Sequence, residues 1–208
     1  MNSVSEHKFS ERFTFEELTE ESTPRRIVES AIEEIGVNGL SGVTTKGISQ
    51  RANLSTGIIH HYFDTKDNVV YAAYVYLIHD LHQSALAVFR QESDSRERLL
   101  AMIRMNFTSL HISPEARDVW PQFWAHAAHD ERVGRLLRVY YNRFHSNLAH
   151  ALKQLLGDQY KARQVASLLL SSIQGMWFTH RFTSYPEDME DAVKLLEEHL
   201  DRLIRAYS

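Results

Sequence analysis

The sequence contains no cysteine among its 208 residues. Disulfides, zinc–cysteine centres and thiol catalysis are therefore excluded together. No apolar run approaches the ~18–20 residues that a membrane-spanning helix needs, and the polar first residues lack the apolar region of a secretory signal. With 8 glycines, 4 prolines and 24% charged residues, the composition is that of a globular protein with one domain or two small ones. We expect it to be cytoplasmic, with no membrane association and no cofactor.

The chain also lacks a strongly basic balance, because 23 Lys and Arg stand against 27 Asp and Glu, a net charge of −4. The charge is unevenly distributed. Residues 1–22 form an acidic N-terminal extension, which we interpret either as a tail or as a short extra helix. Residues 23–66 carry five cations and four anions. A near-neutral segment can still bind DNA if its cations share one face, so the net charge decides little.

Apolar residues recur at helical spacing throughout, and no strand alternation appears. We therefore predict an all-α fold of about nine helices. Thr23 should cap the first helix, Gly36 and Gly39 should end it, and Pro121 should kink a later helix or end its first turn. The predicted helices span about 24–37, 45–52, 56–63, 66–90, 96–111, 114–129, 131–156, 159–183 and 187–206.

The most informative stretch is residues 44–69, TTKGISQRANLSTGIIHHYFDTKDNV. Thr44 can cap a short helix, and Asn53 then occupies a tight turn that needs a left-handed backbone. Ser55 can cap a second short helix. Ile48 and Ala52 on the first helix, and Ile59 and Phe63 on the second, are each four residues apart and should face the core. Leu54 should fill the angle between the two helices.

The second short helix is left with a polar outer face that includes Thr56, Gly57, His60 and His61. Small and hydrogen-bonding residues at the start of a helix suit the major groove of DNA. Lys66 begins the next helix and could hold a phosphate there. On this pattern alone, a helix-turn-helix and a plain helical scaffold are both possible.

A resemblance to a known family favours the first interpretation. The segment from Thr44 to Lys66 resembles the DNA-binding signature of TetR-type transcriptional regulators. The matching positions are Ala52-Asn53-Leu54-Ser55-Thr56-Gly57, Tyr62-Phe63 and Lys66. Asn53 replaces the usual Gly, Ser49 the usual Ala, and His60 stands where many members carry Tyr.

Within that family, STGIIHHYF at 55–63 is most similar to the BetI group, the choline-sensing regulators of glycine-betaine synthesis. Further similar positions are Val119 to Trp124 and Gly175-Met176-Trp177. The resemblance implies a DNA-binding domain over 23–66 and a ligand-binding and dimerisation domain over 67–208. It also implies a homodimeric repressor on pseudopalindromic double-stranded operator DNA, which a small effector releases.

The expected DNA contacts fall into two sets. Phosphates would be held by Arg25, Arg26, Thr45, Lys46, Tyr62 and Lys66. The groove would be faced by Thr56, Gly57, Ile58, His60 and His61.

Large aromatic residues concentrate in the body of the chain. Packing is the ordinary role of any one of them, but together they could form a cage whose ring faces attract a quaternary ammonium. We expect choline or a related cation as the effector. The candidate ligand-binding residues are Trp120, Phe123, Trp124, Tyr140, Trp177 and Phe178, with Tyr141 beside them.

The last two predicted helices each carry an apolar stripe. Such a stripe is either core within one chain or, as the resemblance implies, part of a four-helix dimer interface. The stripes comprise Val165, Leu168, Leu169, Ser172, Ile173 and Met176, and then Met189, Val193, Leu196, Leu200, Leu203 and Tyr207.

Twelve histidines raise the possibility of a metal site. The pairs His79/His82 and His126/His129, with Asp80 and Asp130 nearby, have helical spacing, but no third-ligand pattern accompanies them. We find no catalytic motif and expect neither a metal nor an enzyme. Two alternatives remain open: an all-α metal-dependent enzyme that uses the His-rich body, and a helical adaptor that docks on proteins through residues 1–22.

Overall fold

The computed structural model describes Leu18 and residues 21–92, 94–107, 114–179, 182 and 189–207. Within these residues there are nine helices and no strand, which confirms the predicted all-α fold. The helices are α1 Thr23–Gly42, α2 Thr45–Arg51, α3 Thr56–Phe63, α4 Lys66–Gln91, α5 Ser95–Met105, α6 Pro114–Ala127, α7 Glu131–Leu156, α8 Gln159–Thr179 and α9 Met189–Tyr207. No helix in this described part is long and apolar enough to cross a membrane.

The first helix differs from its prediction at both ends. Ser22, not Thr23, is the N-cap, and its hydroxyl accepts a hydrogen bond from the backbone N–H of Arg25. The helix does not end near Val37 but continues to Gly42 across a kink at Gly39, whose φ is 69°. Gly39 therefore bends the helix without ending it, because glycine adopts this left-handed conformation without a steric penalty.

Contacts divide the chain into two compact units. Unit 1 combines Met1–Asp80 with Ile112–Leu136, and unit 2 combines Leu81–His111 with Leu137–Ser208. The helices α4 and α7 each contribute residues to both. The predicted boundary after residue 66 separates a DNA-binding domain from a ligand-binding domain, whereas the two units here are defined by contacts alone. That domain boundary therefore stays a prediction.

Unit 1 has a core built from α1, α2, α3, α6 and the first part of α4. One face of α1 is buried, as are the predicted core positions Ile48, Ala52, Ile59 and Phe63 of the two short helices. The buried face of α1 consists of Ile27, Val28, Ala31, Ile32 and Ile35. Pro121 lies inside α6 and does not end it. Leu18, the one described residue before Glu21, is fully buried.

Unit 2 contains α5, α8, α9 and the remaining parts of α4 and α7. One face of α8 (Val165, Leu169 and Ile173) is buried in this unit, and α9 buries Leu196 and Leu200. Ion pairs join Arg104 to Glu197 and Arg96 to Asp201, which fasten α5 to α9. Three residues of the predicted apolar stripe of α9, Leu196, Leu200 and Leu203, are thus core within one chain, and Val193 and Tyr207 are half-buried.

Candidate functional site

Helix α2 is held to α1 by an ion pair whose carboxylate is buried. Arg51 Nε lies 2.6 Å from Glu34 Oε2, and the Glu34 side chain is only 7% exposed. Gly47 lets this carboxylate approach, since a Cβ at that position would lie 2.0 Å from Glu34 Oε1. The identity of residue 47 is therefore set by the close contact of α2 with α1.

A second link joins α1 to the end of α2. Arg26 Nη2 donates a 2.7 Å hydrogen bond to the backbone carbonyl of Ala52. A cation at the C-terminal end of a helix satisfies a carbonyl that has no partner within the helix. Arg26, predicted from the sequence as a phosphate contact, thus also holds α2.

The turn between α2 and α3 has the predicted backbone. Asn53 has φ 52°, in the left-handed region that asparagine tolerates better than most residues. The Leu54 N–H donates to the carbonyl of Ser49 at 2.9 Å, and the Leu54 side chain is half-buried. The local sequence alone therefore fixes this turn.

Helix α3 has one buried and one exposed face, as predicted. Ile59 and Phe63 are buried, whereas the residues predicted to face the groove are all exposed: Thr56, Gly57, Ile58, His60 and His61. Ser55 is the N-cap, but its side chain makes no capping hydrogen bond, contrary to the predicted role. The outer face of α3 is thus a continuous accessible surface within unit 1.

His60 has a fixed hydrogen-bonding partner at the end of α3. Its Nδ1 lies 3.0 Å from the backbone carbonyl of Asp64. A carbonyl only accepts, so Nδ1 carries the proton and Nε2 of the neutral ring is left as an acceptor. Asp64 itself has φ 61°, which turns the chain sharply towards α4.

The start of α4 is held against α3. Asn68 Nδ2 donates to the Phe63 carbonyl at 2.9 Å, and Thr65 Oγ1 accepts from the Asn68 N–H. Arg132 of α7 donates to Asn68 Oδ1 at 3.2 Å and lies over the Tyr71 ring, 4.0 Å from its centroid. The predicted start of this helix at Lys66 is confirmed.

The predicted phosphate contacts are not equivalent in the structure. Arg25 Nε pairs with Glu29 at 2.8 Å, and its guanidinium lies 5.9 Å from the Tyr76 ring centroid. Thr45 of α2, Tyr62 of α3 and Lys66 of α4 are half-buried, and Lys46 is exposed. Arg25 and Arg26 therefore already have partners within the protein.

A glutamine on α6 grips the kinked end of α1. Gln122 Oε1 accepts a hydrogen bond from the Leu40 N–H, and Gln122 Nε2 donates to the Ile35 carbonyl at 3.3 Å. The two bonds span the kink at Gly39 from both sides. No sequence signal indicated this role, because the partners are more than 80 positions apart.

The aromatic residues predicted to bind a ligand are divided between the units. Trp120, Phe123 and Trp124 follow one another on α6, with centroids 5.6 Å apart for Trp120–Phe123 and 6.4 Å for Trp120–Trp124. Phe123 also stacks on Tyr74 of α4, at 4.0 Å and an interplanar angle of 3°. These four rings form the aromatic cluster of unit 1, in which Tyr74 was not predicted.

The other three predicted ligand residues lie in unit 2. Trp177 is buried, and its indole N–H donates to the Asn106 carbonyl at 2.7 Å. Tyr140 stacks on Phe144, with centroids 6.2 Å apart, whereas Phe178 is 47% exposed. Trp177 therefore has a packing role in its unit.

The outer face of α8 carries exposed apolar residues. At about 100° per residue, Tyr160, Leu168 and Phe178 lie on one side, opposite the buried Val165, Leu169 and Ile173. Gly175 lies on the same exposed side, and a Cβ there would meet no atom of the described residues within 4 Å.

No group of three or more His, Cys, Asp or Glu residues in the described part of the chain could hold a metal ion. His126 Nε2 lies 3.9 Å from Asp130 Oδ2, and this pair has no third ligand among those residues. The metal-dependent alternative thus gains no support from the geometry.

Comparison with known proteins identifies the family. A family model described as bacterial regulatory proteins of the tetR family matches residues 27–73, and one described as the C-terminal part of the BetI-type transcriptional repressor matches residues 95–205. The HTH-type transcriptional regulator BetI of Burkholderia mallei is 33% identical over 180 residues, which cover 86% of this chain and 92% of that protein. BetI of Brucella canis is 32% identical over 176 residues, covering 85% and 88%.

Solved structures show the same fold. A putative transcriptional regulator from Pseudomonas aeruginosa superposes with a TM-score of 0.76 at 22% identity, covering 89% of this chain and 93% of that one. A putative regulator from Saccharomonospora viridis, solved in complex with choline, gives a TM-score of 0.74 at 21% identity, covering 88% and 95%. The chain therefore belongs to the TetR family of bacterial transcriptional regulators, as a DNA-binding repressor whose C-terminal part is of the BetI type.

Proposed function

We propose that this repressor binds a pseudopalindromic operator as a homodimer and releases it when choline or a related quaternary ammonium binds. The observation that supports DNA binding is the separation of α3 into a buried apolar face and an exposed outer face. Its apolar residues Ile59 and Phe63 are buried, and its outer face is exposed over the whole helix. A helix of this kind inserts into the major groove, and two copies read two half-sites. A repressor that binds operator DNA works in the cytoplasm.

Within this proposal the groove-facing residues divide by chemistry. Gly57 allows the backbone to approach the bases, and Thr56 supplies a hydroxyl for base edges or phosphate. His60 presents Nε2 as an acceptor, which suits the amino groups of adenine or cytosine in the major groove. Ile58 offers an apolar contact for a thymine methyl group, and His61 is exposed beside it.

Phosphate contacts come from the start of α2, the end of α3 and the start of α4. Thr45, Lys46, Tyr62 and Lys66 have this role in the proposal. Arg25 and Arg26 are placed second, because Glu29 and the Ala52 carbonyl already engage them. They contribute mainly by holding the helices that carry the direct contacts.

Operator binding is tested by footprinting and fluorescence anisotropy on the DNA that flanks the gene. We expect one protected pseudopalindromic site. Lys66→Ala should weaken binding to all sequences and reduce the slope of log K against log salt by about one per protomer. Lys153→Ala is the matched control, since Lys153 is an exposed lysine in unit 2. Equal slopes for the two variants would remove Lys66 from the interface.

The effector site in this proposal is the aromatic cluster of unit 1. A quaternary ammonium over the face of a well-placed ring gains roughly 0.5–2 kcal/mol, and Trp120, Trp124 and Phe123 offer adjacent rings on one helix. The choline bound to the structurally similar regulator from Saccharomonospora viridis supports this ligand chemistry. Tyr140, Trp177 and Phe178 stay predictions of the sequence.

The effector part is tested by calorimetry with choline, glycine betaine and betaine aldehyde. Choline should give measurable heat and should release the operator in the anisotropy assay. Absence of both heat and a thermal shift with all three compounds would refute a cationic effector while leaving DNA binding intact.

Coupling between effector and operator follows from the two roles of α6. The helix carries Trp120, Phe123 and Trp124. Gln122, which lies between Trp120 and Phe123 in the sequence, forms hydrogen bonds to the end of α1. An effector that prefers a different position of α6 also changes the hold on α1. Operator affinity then falls by the difference in effector binding free energy between the two states.

The homodimer interface in this proposal is the outer face of α8. Glycine inside a helix costs about 1 kcal/mol relative to alanine, and no residue that the structure describes comes close enough to require glycine at position 175. A partner backbone that packs closely on this face would account for it. Gly175→Arg should give a monomer by light scattering with a circular dichroism spectrum unchanged, and an intact dimer would refute this interface.

A further inference from the structure

Two buried polar atoms in unit 1 have no hydrogen-bond partner among the residues that the structure describes. They are Tyr74 Oη and His126 Nδ1. Buried polar atoms are almost always paired, because an unpaired one loses its interactions with water without replacement. Here both belong to rings in edge contact, with centroids 5.8 Å apart and an interplanar angle of 66°. Because the two rings are in contact, we infer that one polar group of a ligand satisfies both atoms.

The two atoms have defined hydrogen-bonding characters. Tyr74 is fully buried, and burial together with the charge of Asp130 raises the pKa of its phenol, so that it remains an O–H donor. His126 Nε2 lies 3.9 Å from Asp130 Oδ2, and the carboxylate favours a proton on that nitrogen. Nδ1 of the neutral ring is then an acceptor. The pair therefore offers one donor and one acceptor.

The surroundings are aromatic and belong to the proposed effector site. Phe123 stacks on Tyr74 with centroids 4.0 Å apart, and Trp120 lies 5.6 Å from Phe123. A ligand whose cation lies on these rings would bring an attached polar group to the Tyr74 and His126 side chains.

We propose that Tyr74 and His126 bind the hydroxyl group of the effector. The ligand hydroxyl accepts a hydrogen bond from Tyr74 O–H and donates one to His126 Nδ1. This inference rests on the proposed function, in which the aromatic cluster takes a quaternary ammonium. It adds that these two residues recognise the hydroxyl group of such a ligand and determine the specificity for it.

The proposal distinguishes three closely related ligands. An alcohol is both donor and acceptor, so it satisfies both atoms. A carboxylate only accepts, and it leaves Nδ1 of the neutral ring unpaired. An alkyl group satisfies neither atom. The site should therefore prefer an amino alcohol over the corresponding acid and over the deoxygenated analogue.

The test is calorimetry of the full-length protein with choline, ethyltrimethylammonium and glycine betaine. We expect choline to bind at least about tenfold more tightly than either of the others. Tyr74→Phe and His126→Leu should each bring choline to within about threefold of ethyltrimethylammonium, whose own affinity should change little. Tyr76→Phe is the control on the same helix, because the Tyr76 hydroxyl donates to Glu29 and not to this pair.

A second measurement separates a ligand contact from a structural role. If Tyr74 Oη has no partner in the free protein, Tyr74→Phe should leave the ligand-free melting temperature unchanged or raise it. A lowered melting temperature would mean that the hydroxyl is bonded within the protein, and it would overturn the proposal. Operator binding and circular dichroism check that each variant is folded.

The outcomes are distinguishable. If ethyltrimethylammonium binds the wild-type protein as tightly as choline, the hydroxyl site is refuted and the cationic effector stands. If the preference for choline survives both substitutions, other residues read the hydroxyl and this assignment is wrong. If none of the three compounds binds, the effector proposal fails and the hydroxyl site fails with it.

Discussion

Breaking the ion pair between Glu34 and Arg51 directly tests how α2 is attached to α1. Arg51→Ala removes the guanidinium that lies 2.6 Å from the Glu34 carboxylate and leaves this carboxylate buried. Gly47→Ala disturbs the same contact sterically, because the alanine Cβ would lie 2.0 Å from Glu34 Oε1. Both changes should loosen α2 from α1.

The magnitude follows from burial. Removing one partner of a buried ion pair costs about 3–5 kcal/mol, but the Arg51 side chain is 32% exposed, so water compensates part of the loss. We therefore expect Arg51→Ala to lower the free energy of unfolding by about 2–3 kcal/mol. In a protein of this length that corresponds to a fall of roughly 4–12 °C in melting temperature.

The assay is urea unfolding followed by circular dichroism, with operator affinity measured in parallel. Arg135→Ala is the matched control. This substitution also breaks an arginine–glutamate pair, but the side chains of Arg135 and Glu131 are 72% and 82% exposed. The free energy of unfolding should therefore fall by less than about 1 kcal/mol. A double-mutant cycle with Glu34→Gln should show that Arg51→Ala costs less once the carboxylate is gone. Equal losses for Arg51→Ala and Arg135→Ala would refute the reasoning.

Three further predictions concern single side chains. Asn53→Ala should destabilise the protein by about 1–2 kcal/mol, whereas Asn53→Gly should not, because φ at this position is 52°; urea unfolding of both variants measures the difference. Gln122→Leu should lower operator affinity and the melting temperature, since the Leu40 N–H and the Ile35 carbonyl lose their partner; Gln154→Leu, at an exposed position of α7, is the control. Burial, followed by the charge of Glu29, raises the pKa of Tyr76 to about 12 from 10.0. The neutral phenol is favoured in the folded state, so its contribution is complete below pH 10 and is lost as the pH rises towards 12; alkaline unfolding of Tyr76→Phe should show a shallower decline.

Local chemistry accounts for what could be predicted from the sequence. The apolar spacing gave the helices, and Asn53 gave the turn, because both depend on residues that are close in the chain. The positions Ile59 and Phe63 fixed which face of α3 is buried, and hence which face is exposed. The family resemblance then identified the exposed face as the one for DNA, and the relatives confirm the family.

Contacts between distant residues account for what was missed. The first helix was predicted to end near Val37, but Gln122 stabilises the backbone on both sides of Gly39 and the helix continues. Arg26 reads as a free cation in the sequence, yet its guanidinium is bonded to the Ala52 carbonyl. Neither interaction leaves a pattern within a window of neighbouring residues.

The grip of α6 on the end of α1 has a consequence for engineering. A fragment that stops after residue 80 would contain the whole helix-turn-helix but would lose Gln122 and the rest of α6, which belong to the same compact unit. Chimeras that exchange DNA specificity between regulators of this family should therefore transplant residues 114–127 together with the N-terminal segment. A graft limited to the N-terminal segment would place the end of α1 against an α6 whose sequence is adapted to a different α1.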